Sequence, residues 1–434
     1  MVELGRQIIY NGKLNYLGKL DNLIMIFEEA KMKKIILTLV TAIAFFQTGV
    51  ISAATYSGGS GTSDAPYLIS TPADINTLGG TSGDWSKYFK LVADINMADY
   101  TGTEYKIIGN ATTKFTGTFD GNDCVISNLT YAATAATSYV GLFGYALNAT
   151  IKNLGVEDVN ISGKCAIVGA LIGYQNNSNV TNCYSTGIVG STLTSSTIAY
   201  AGGLIGYQSD GNATNCYSTA SVTASSSSAS AYTGGLIGYQ GSSGIAENCY
   251  SAGFSICSST NYSSFAGGLI GYQYSGTAKN CYSTRWVSST SSSSSYYAYA
   301  GGLTARQYNT ANATIENCYA AGWIYTSATN CYEGGFVGHY GGSGTISNCF
   351  WDTDISCVSD GLGYGTSTEV VGKTSTKMKT SATFTDVGWD FDDVWEIHEL
   401  QTYPLLKKYN ICDLNHDKIV NILDFAIFAE NWLD

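Results

Sequence analysis

The stretch GGLIGYQ at residues 202–208 decides the fold, because it returns unchanged at 234–240 and again at 267–273. A second signature, NCY, recurs at similar intervals of 31 to 37 residues. It occurs at residues 182–184, 215–217, 248–250, 280–282 and 317–319, and as NCF at 348–350. A fixed period of this length indicates an array of identical structural units.

Each unit has the composition of short β-strands, with runs of Val, Ile, Thr, Tyr and Cys broken by Gly, Ser and Asn. No ten-residue helical pattern occurs between residues 55 and 365, and the whole chain has 3 Pro. A four-stranded propeller blade usually needs ~40 residues or more. The sequence therefore predicts an all-β fold, a right-handed parallel β-helix of eight or nine turns, with a propeller as the alternative.

In a β-helix, equivalent residues of successive turns stack into columns at the strand spacing of ~4.8 Å. The column with Glu247, Lys279 and Glu316 alternates in charge and is predicted to face water. Two apolar columns are predicted to face inward. They are Val180, Ala213, Ala246, Ala278, Ile315 and Ile346, and then Val189, Val222, Val287, Ile324 and Ile355. Because these columns are an odd number of positions apart, a corner must lie near NCY.

The GGLIGYQ stretch is predicted to contain both a close approach of two backbone segments and a core residue. Gly202 and Gly203 are expected where the chain turns or another segment comes near, since glycine has no Cβ. Leu204 then fills the interior of the turn. One turn cannot bury its apolar face alone, so stacking identical turns builds the core.

These residues carry a resemblance to a known family. GGLIGYQ, GLFGY at 141–145 and GGFVGHY at 334–340 resemble the GLUG motif, and FTGTFDGNDCVISNLTY at 115–131 resembles the flank of such proteins. The resemblance implies a repeat architecture found in secreted and cell-surface bacterial proteins, mostly of unassigned activity. GGLTARQ departs from the motif at Ala305 and Arg306, which predicts a distorted turn.

Residues 32–54 are typical of a secretory signal peptide, with two lysines, a 12-residue apolar run and a small-residue cleavage site. The run is shorter than the ~20 residues of a transmembrane helix, so we expect no transmembrane anchor; a buried or membrane helix is the alternative. We expect translation to begin at Met32, which leaves residues 1–31 outside the protein. The remaining segments are 55–140 (N-terminal turns), 141–357 (GLUG-type repeats), 358–409 (C-terminal cap) and 410–434 (a terminal module).

Charge and cysteine spacing exclude several classes of function. The net charge is −12, which argues against a nucleic-acid partner. Six of the 12 cysteines share the NCY column, where neighbouring Cβ atoms would lie ~4.8 Å apart against ~3.8 Å in a disulfide. Packed free thiols are therefore predicted, with bridges as the alternative. No CxxC pair occurs, so zinc has no support.

Catalytic groups are sparse. Between residues 131 and 345 there are six scattered carboxylates, and His339 is the one histidine there. Asp352 and Asp354 are close in sequence, but the GLUG resemblance places them at a structural end of a turn. Polysaccharide lyases and glycoside hydrolases need clustered carboxylates. We therefore expect no enzymatic activity, with such an enzyme as the alternative.

A tyrosine column is the candidate ligand site, and a glutamine column runs beside it. The tyrosines are Tyr174, Tyr207, Tyr239 and Tyr272. Neighbouring residues of a strand point to opposite faces, so only one of the two columns can face water. Outward tyrosines would suit stacking on the sugar rings of a glycan. The alternative is that the rings stack on one another and cover the coil. The Ser-rich stretches 225–230 and 291–295 are expected to be loop tips.

The C-terminal stretch CDLNHDKIVNILDFAIFAENWLD (412–434) has the spacing of a calcium loop followed by an amphipathic helix. The predicted Ca²⁺ ligands are Asp413, Asn415, Asp417, the carbonyl of Ile419, Asn421 and Asp424. The stretch resembles a dockerin repeat, which implies an α-helical EF-hand-like half-module and a cohesin-like scaffold partner. The resemblance places Ile422 and Leu423 where partner-reading residues lie. Lys418 in place of the usual Gly, and one repeat rather than two, depart from that family; an acidic tail without metal is the alternative.

Together these features predict a secreted, non-catalytic β-helix for surface attachment or polysaccharide association, anchored to a partner through the calcium module. A carbohydrate-active enzyme carried on a scaffold is the second interpretation. A purely structural surface fibre is the third.

Overall fold

A computed structural model describes residues 56–308 and 312–407, in which the chain forms a parallel β-solenoid of about eight turns. Equivalent residues of successive repeats pair in register: Tyr207 pairs with Tyr174 on one side and with Tyr239 on the other. The predicted β-helix is confirmed over the propeller. Residues 1–31, the signal-like segment 32–54 and the calcium-like segment 412–434 lie outside the described residues.

One face of the solenoid is a seven-stranded parallel sheet made by the GGLIGYQ copies and their relatives. Its strands are Phe143–Leu147, Ile172–Asn176, Ile205–Gln208, Ile237–Gln240, Ile270–Gln273, Thr304–Gln307 and Val337–Tyr340.

A 28-stranded sheet forms the rest of the coil and bends around it. Ahead of the NCY corner lie Tyr67–Ile69, Tyr88–Leu91, Thr118–Asp120, Gly211–Thr214, Ile245–Glu247, Gly276–Lys279, Ala313–Glu316 and Thr345–Ser347. After it lie Ile95–Asn96, Val125–Ser127, Tyr217–Ser218, Tyr250–Ser251, Tyr282–Ser283, Tyr319–Ala320, Cys349–Asp352 and Val370–Lys373. The next position in the turn holds Thr130–Val140, Ser221–Ser226, Ser255–Ser259, Val287–Ser291 and Ile324–Ser327. The strands that lead back to the first face are Ala199–Gly202, Ala231–Gly234, Ser264–Gly267, Tyr297–Gly301 and Asn330–Gly334. Two long strands, Thr150–Gly169 and Ser178–Leu193, run through several of these positions.

The predicted corner is confirmed, and the asparagine of NCY makes it. Each of these asparagines has a positive φ, for example 52° at Asn215 and 53° at Asn248, a conformation that asparagine tolerates better than most residues. Their side-chain amides also form a ladder, in which each Nδ2 donates to Oδ1 of the preceding turn. The donors are Asn182, Asn215, Asn248, Asn280, Asn317 and Asn348, at N···O distances of 2.8, 3.3, 3.3, 3.1, 3.4 and 3.2 Å.

The core is built from inward columns, as predicted. Leu204 and its equivalents in the other turns are fully buried. A Cβ on Gly202 would lie 1.8 Å from the carbonyl oxygen of Ile205, and one on Gly203 would lie 2.1 Å from that of Gly235. Both glycines are therefore required by close backbone approach. The column ahead of NCY is buried throughout, from Val180 to Ile346.

The NCY cysteines are buried free thiols, so the prediction of packed thiols is confirmed. The six are Cys183, Cys216, Cys249, Cys281, Cys318 and Cys349. Each thiol donates to the backbone carbonyl two residues earlier, as Cys216 does to Thr214 at 3.3 Å. Burial raises the pKa of Cys281 well above its usual range, which keeps such thiols protonated and unreactive.

Three local predictions are wrong. Ile355 is 39% exposed, because the regular repeat ends with the strand Cys349–Asp352. The turn with Arg306 is regular: that residue pairs in register with Tyr272 and His339, since backbone pairing does not depend on the side chain. The Ser-rich stretch 225–230 is partly strand, and Ser226 is buried.

The N-terminal turns contain a helix that the sequence analysis missed. It spans Pro72–Gly80 and is followed by a 3₁₀ turn at Ser82–Asp84. Thr71 is its N-cap and forms a capping box with Asp74. Phenylalanines fill the interior of these turns. They are Phe89, Phe115, Phe119 and Phe143.

The C-terminal segment packs against the solenoid through aromatic side chains. It contains two short helices, Ser375–Met378 and Ala382–Thr385, and an antiparallel pair, Trp395–Glu396 with Leu405–Leu406. Its residues form one buried cluster with the repeats. The cluster contains Tyr282, Tyr319, Ala321, Phe350, Met378, Phe384, Trp389, Trp395 and Leu406. The segment thus covers the flank of the solenoid at the turns of Tyr282 and Tyr319.

Candidate functional site

The tyrosine column of the first face points outward and the glutamine column points inward. Gln208, Gln240 and Gln273 are fully buried. Gln240 Nε2 donates to Gln208 Oε1 at 2.9 Å, and Gln273 Nε2 donates to Gln240 Oε1 at 3.0 Å. The same amides also reach backbone carbonyls, as Gln208 Nε2 reaches Ile245 at 3.1 Å. This internal ladder satisfies the amides of Gln208, Gln240 and Gln273 and leaves the outer side to the tyrosines.

The four predicted tyrosines, which we call the first tyrosine column, stack on one another. Ring centroids are 4.7 Å apart between Tyr174 and Tyr207, 4.4 Å between Tyr207 and Tyr239, and 5.3 Å between Tyr239 and Tyr272. The interplanar angles are 9°, 15° and 18°. The ring faces therefore contact each other along the solenoid axis, as the alternative interpretation describes.

A second aromatic column, Tyr200, Tyr232, Phe265 and Tyr299, packs beside the first. Its rings also stack, with centroids 4.9, 4.4 and 4.4 Å apart. The two columns meet edge to face, as Tyr200 meets Tyr207 at 5.5 Å and 85°. This arrangement suits the aromatic quadrupoles. Burial raises the pKa of Tyr207 to about 12, so its hydroxyl is a neutral hydrogen-bonding group at ordinary pH. Tyr174, Tyr207 and Tyr239 are half-buried and offer ring edges and hydroxyls to a ligand, whereas the predicted ligand residue Tyr272 is buried, at 8% exposure.

A third stacked column follows the NCY corner: Tyr184, Tyr217, Tyr250, Tyr282 and Tyr319. Neighbouring centroids are 4.8, 4.7, 4.9 and 4.9 Å apart, with interplanar angles of 6° or less. Its last two members are buried beneath the C-terminal segment. Tyr319 also donates its hydroxyl to the carbonyl of Pro404 at 2.8 Å. This column serves in part to attach that segment.

One exposed aromatic surface was missed by the sequence analysis. Phe254, Trp286 and Trp323, which we call the exposed aromatic strip, lie on three successive turns. Trp286 and Trp323 are stacked, with centroids 5.3 Å apart, and Phe254 meets Trp286 edge to face at 6.1 Å. Phe254 and Trp323 are 42% and 45% exposed. Exposed Ile256 and Tyr325 lie two residues further along the strands, on the same face.

The strip had a sequence signal. Its three residues directly precede the strand positions Ser255, Val287 and Ile324, which pair in one inward column. The residue before an inward position points outward. A large apolar side chain at three successive outward positions has no role in the core.

Asp352, one of the carboxylates considered for catalysis, has a structural role. Asp352 is fully buried. One of its oxygens accepts the backbone N–H groups of Asp354 at 2.8 Å and Ile355 at 3.2 Å. The other accepts the hydroxyls of Ser375 at 2.7 Å and Tyr403 at 2.6 Å. Asp352 therefore joins the last turn to the C-terminal segment, in agreement with the structural role that the resemblance implied.

A cavity of about 460 Å³ lies between the last turn and the two short C-terminal helices. Charged side chains of both signs line it, among them Glu369, Lys373, Lys377 and Asp386. Across residues 56–308 and 312–407, no three His, Cys, Asp or Glu side chains come together as a metal site requires. In the same ranges, no helix has the length and apolar character needed to cross a membrane. The predicted calcium ligands, from Asp413 to Asp424, and the partner residues Ile422 and Leu423 lie outside these ranges.

The repeat that contains Tyr207 matches a known sequence motif. Residues 197–223 match the GLUG motif. That stretch includes one copy of GGLIGYQ and one of NCY, so the resemblance noted in the sequence is confirmed at the level of the repeat.

Two curated proteins are similar to parts of the chain. A provisionally named Gly-rich membrane protein of Evansella cellulosilytica is 31% identical over 135 residues, which cover 30% of this chain and 15% of that protein. The halomucin of Haloquadratum walsbyi is 36% identical over 118 residues, which cover 25% of this chain and 1% of halomucin. The chain therefore corresponds to a small part of each relative.

One solved structure is similar over most of the chain. It is a crystal structure from Bacteroides ovatus, provisionally described as an immunoglobulin A1 protease. The TM-score is 0.52 at 21% identity, with 81% of this chain and 95% of that chain covered. At this identity the similarity concerns the solenoid fold.

Proposed function

We propose that the protein is a secreted, non-catalytic attachment solenoid that associates with polysaccharide. The observation that carries the proposal is the exposed aromatic strip. Contiguous exposed apolar surface on a soluble domain marks an interaction site, and Trp and Tyr are the side chains most enriched at binding hot spots. Phe254 meets Trp286 edge to face and Trp286 stacks on Trp323, so the strip offers exposed aromatic edges to the apolar surface of a sugar polymer.

The shape of the solenoid supports a polymeric ligand. The strip repeats at the turn spacing, so neighbouring turns present equivalent contacts to a chain that runs along the axis. The names of the two relatives, a membrane protein and a halomucin, are compatible with a role at the cell surface. The structural hydrogen bonds of Asp352 support a role without catalysis.

Attachment to a scaffold would be the task of residues 412–434. Five oxygen-bearing side chains at the spacing of a calcium loop support a Ca²⁺ site there. By resemblance to dockerins, the helix that follows would contact a cohesin-like partner through Ile422 and Leu423. This part of the proposal rests on sequence.

The test is binding of the full-length chain to an array of soluble polysaccharides, with Trp323→Ala as the variant. Tyr88→Ala is the matched control, because Tyr88 is an equally exposed aromatic residue, at 41%, in the N-terminal turns. Truncating a central aromatic contact should weaken binding by about tenfold or more, whereas Tyr88→Ala should have little effect. Equal binding by Trp323→Ala and the parent would exclude the strip as the binding surface.

A further inference from the structure

The first tyrosine column is interrupted by two basic residues at its C-terminal end. On the turn after Tyr272, the equivalent position is Arg306, and on the next turn it is His339. Residues paired in adjacent parallel strands are ~4.8 Å apart, so the two side chains lie next to each other on the outer surface. The two copies, GGLTARQ and GGFVGHY, both keep the paired glycines of the motif but differ from GGLIGYQ at other positions as well.

The Arg306 guanidinium lies within an aromatic enclosure. Its carbon is 5.6 Å from the ring centroid of Tyr272, 5.7 Å from that of Tyr299 and 5.5 Å from that of Tyr308. Cation–π contacts of this kind use the face of the planar guanidinium. These contacts leave the N–H edge of the guanidinium free to donate hydrogen bonds. The geometry of that edge matches two oxygens of a planar or tetrahedral oxyanion. The Nε atom is buried and has no hydrogen-bond partner.

His339 completes this surface. It stacks on Tyr364 with centroids 4.5 Å apart and 12° between the planes, and it meets the rings of Tyr299 and Tyr332 edge to face. Its Nδ1 is also buried without a hydrogen-bond partner. Burial and the positive charge of Arg306 lower the pKa of His339. Two neighbouring side chains thus each keep an unused polar nitrogen inside an aromatic wall.

No carboxylate compensates the charge of Arg306 in the described residues. The ion pairs found there join Lys152 to Asp120 and Lys279 to Glu316. A buried polar atom without a partner is unusual and calls for a structural or functional explanation. An unpaired cation is also notable in a chain whose net charge is −12.

We propose that Arg306 and His339 form a binding site for an oxyanion of an acidic polysaccharide, a uronate carboxylate or a sulfate ester. Arg306 supplies charge and two N–H donors, and His339 supplies a neutral N–H donor beside it. The tyrosine hydroxyls around them bind the adjacent sugar hydroxyls. The inference rests on the proposed association with polysaccharide and names the class of sugar polymer. The negative net charge of the chain disfavours polyanions elsewhere on its surface, so such binding would depend on this site.

The experiment compares polygalacturonate, dextran sulfate and neutral dextran as ligands of the full-length chain, by calorimetry at fixed salt. Arg306→Gln removes the charge and should weaken binding of the preferred acidic polymer by ~10–100-fold, the range for lost charge-assisted hydrogen bonds. Arg285→Gln is the matched control, because it removes the same charge from an exposed arginine on the preceding turn. Arg306→Tyr restores the tyrosine of the other turns, so it should keep the fold while losing the acidic ligand.

The site would be supported if the chain prefers either acidic polymer over dextran and only the Arg306 variants weaken that binding. The preferred polymer then identifies the bound oxyanion as a carboxylate or a sulfate. Equal binding by Arg306→Gln and the parent would overturn the proposed site, as would equal losses in Arg306→Gln and Arg285→Gln. Binding of dextran without preference for an acidic polymer would overturn this inference and leave the proposed function in place. If the chain binds none of the three polymers and no polysaccharide on the array, the proposed function itself is wrong.

Discussion

Replacing one asparagine of the corner ladder tests what holds the turns in register. Asn248 has φ 53°, donates to Asn215 Oδ1 at 3.3 Å and accepts from Asn280 Nδ2 at 3.1 Å. In Asn248→Ala, the left-handed conformation costs about 1–2 kcal/mol. Loss of two side-chain hydrogen bonds costs about 1 kcal/mol each. We expect the free energy of unfolding in urea to fall by about 3–4 kcal/mol, a large share of the 5–15 kcal/mol typical of domains.

Two variants separate the contributions. Asn248→Gly keeps the positive φ at little cost and loses only the amide bonds, so we expect a loss of about 2 kcal/mol. Asn212→Ala removes an exposed amide that donates to Asn179 Oδ1 at 3.2 Å away from the corner, and we expect less than about 1 kcal/mol. If Asn248→Ala is no less stable than Asn212→Ala, the ladder and its left-handed backbone do not stabilise the solenoid.

Other predictions concern the core, the tyrosines and the terminal module. Leu236→Ala should lower the free energy of unfolding in urea by about 2–5 kcal/mol, because Leu236 is fully buried in a central turn; an unchanged value would contradict its place in the core. The folded pKa values of Tyr207, Tyr217 and Tyr272 are about 12 against about 10 in an unfolded chain. The unfolded state loses these protons first, so stability should be constant below pH ~10 and fall as the pH rises toward ~12. Melting temperatures between pH 8 and 12 check this, and a flat profile would refute it. Calorimetry on the full-length chain should detect one Ca²⁺ site with a dissociation constant of ~10⁻⁴–10⁻³ M, which Asp417→Ala abolishes and Lys418→Gly strengthens; no heat at millimolar Ca²⁺ would rule the site out.

The repeat period made the solenoid predictable, because paired residues must occupy the same position in every turn. Leu204 and Val180 could be placed inside for that reason. The position of the corner could be predicted, but the residue that makes it could not, because the repeated NCY pattern drew attention to its cysteine. The asparagine was the more informative residue, because asparagine tolerates a left-handed backbone better than most residues and its repetition at a corner points to one. Ile355 was misplaced because the strand pattern ends at Asp352.

The candidate site was less accessible to sequence reasoning. Alternation shows that Tyr207 and Gln208 point to opposite faces, but it does not say which face is the core. The inward amide is stabilised by backbone carbonyls of the neighbouring turns, which a sequence does not reveal. The exposed strip uses Phe254 in one turn and Trp323 in another, so identity between repeats does not mark it. Arg306 looked like a defect because two of its aromatic neighbours, Tyr272 and Tyr299, come from other strands.

Retention of a polysaccharide without its cleavage is the most direct test of the proposed function. The full-length chain would be incubated with each polymer that it binds on the array, and reducing ends would be measured over time alongside the bound fraction. We expect stable binding that depends on Trp323, with no release of reducing ends above the polymer alone. Release of reducing ends by the purified chain, or the absence of binding to every polysaccharide, would contradict this expectation.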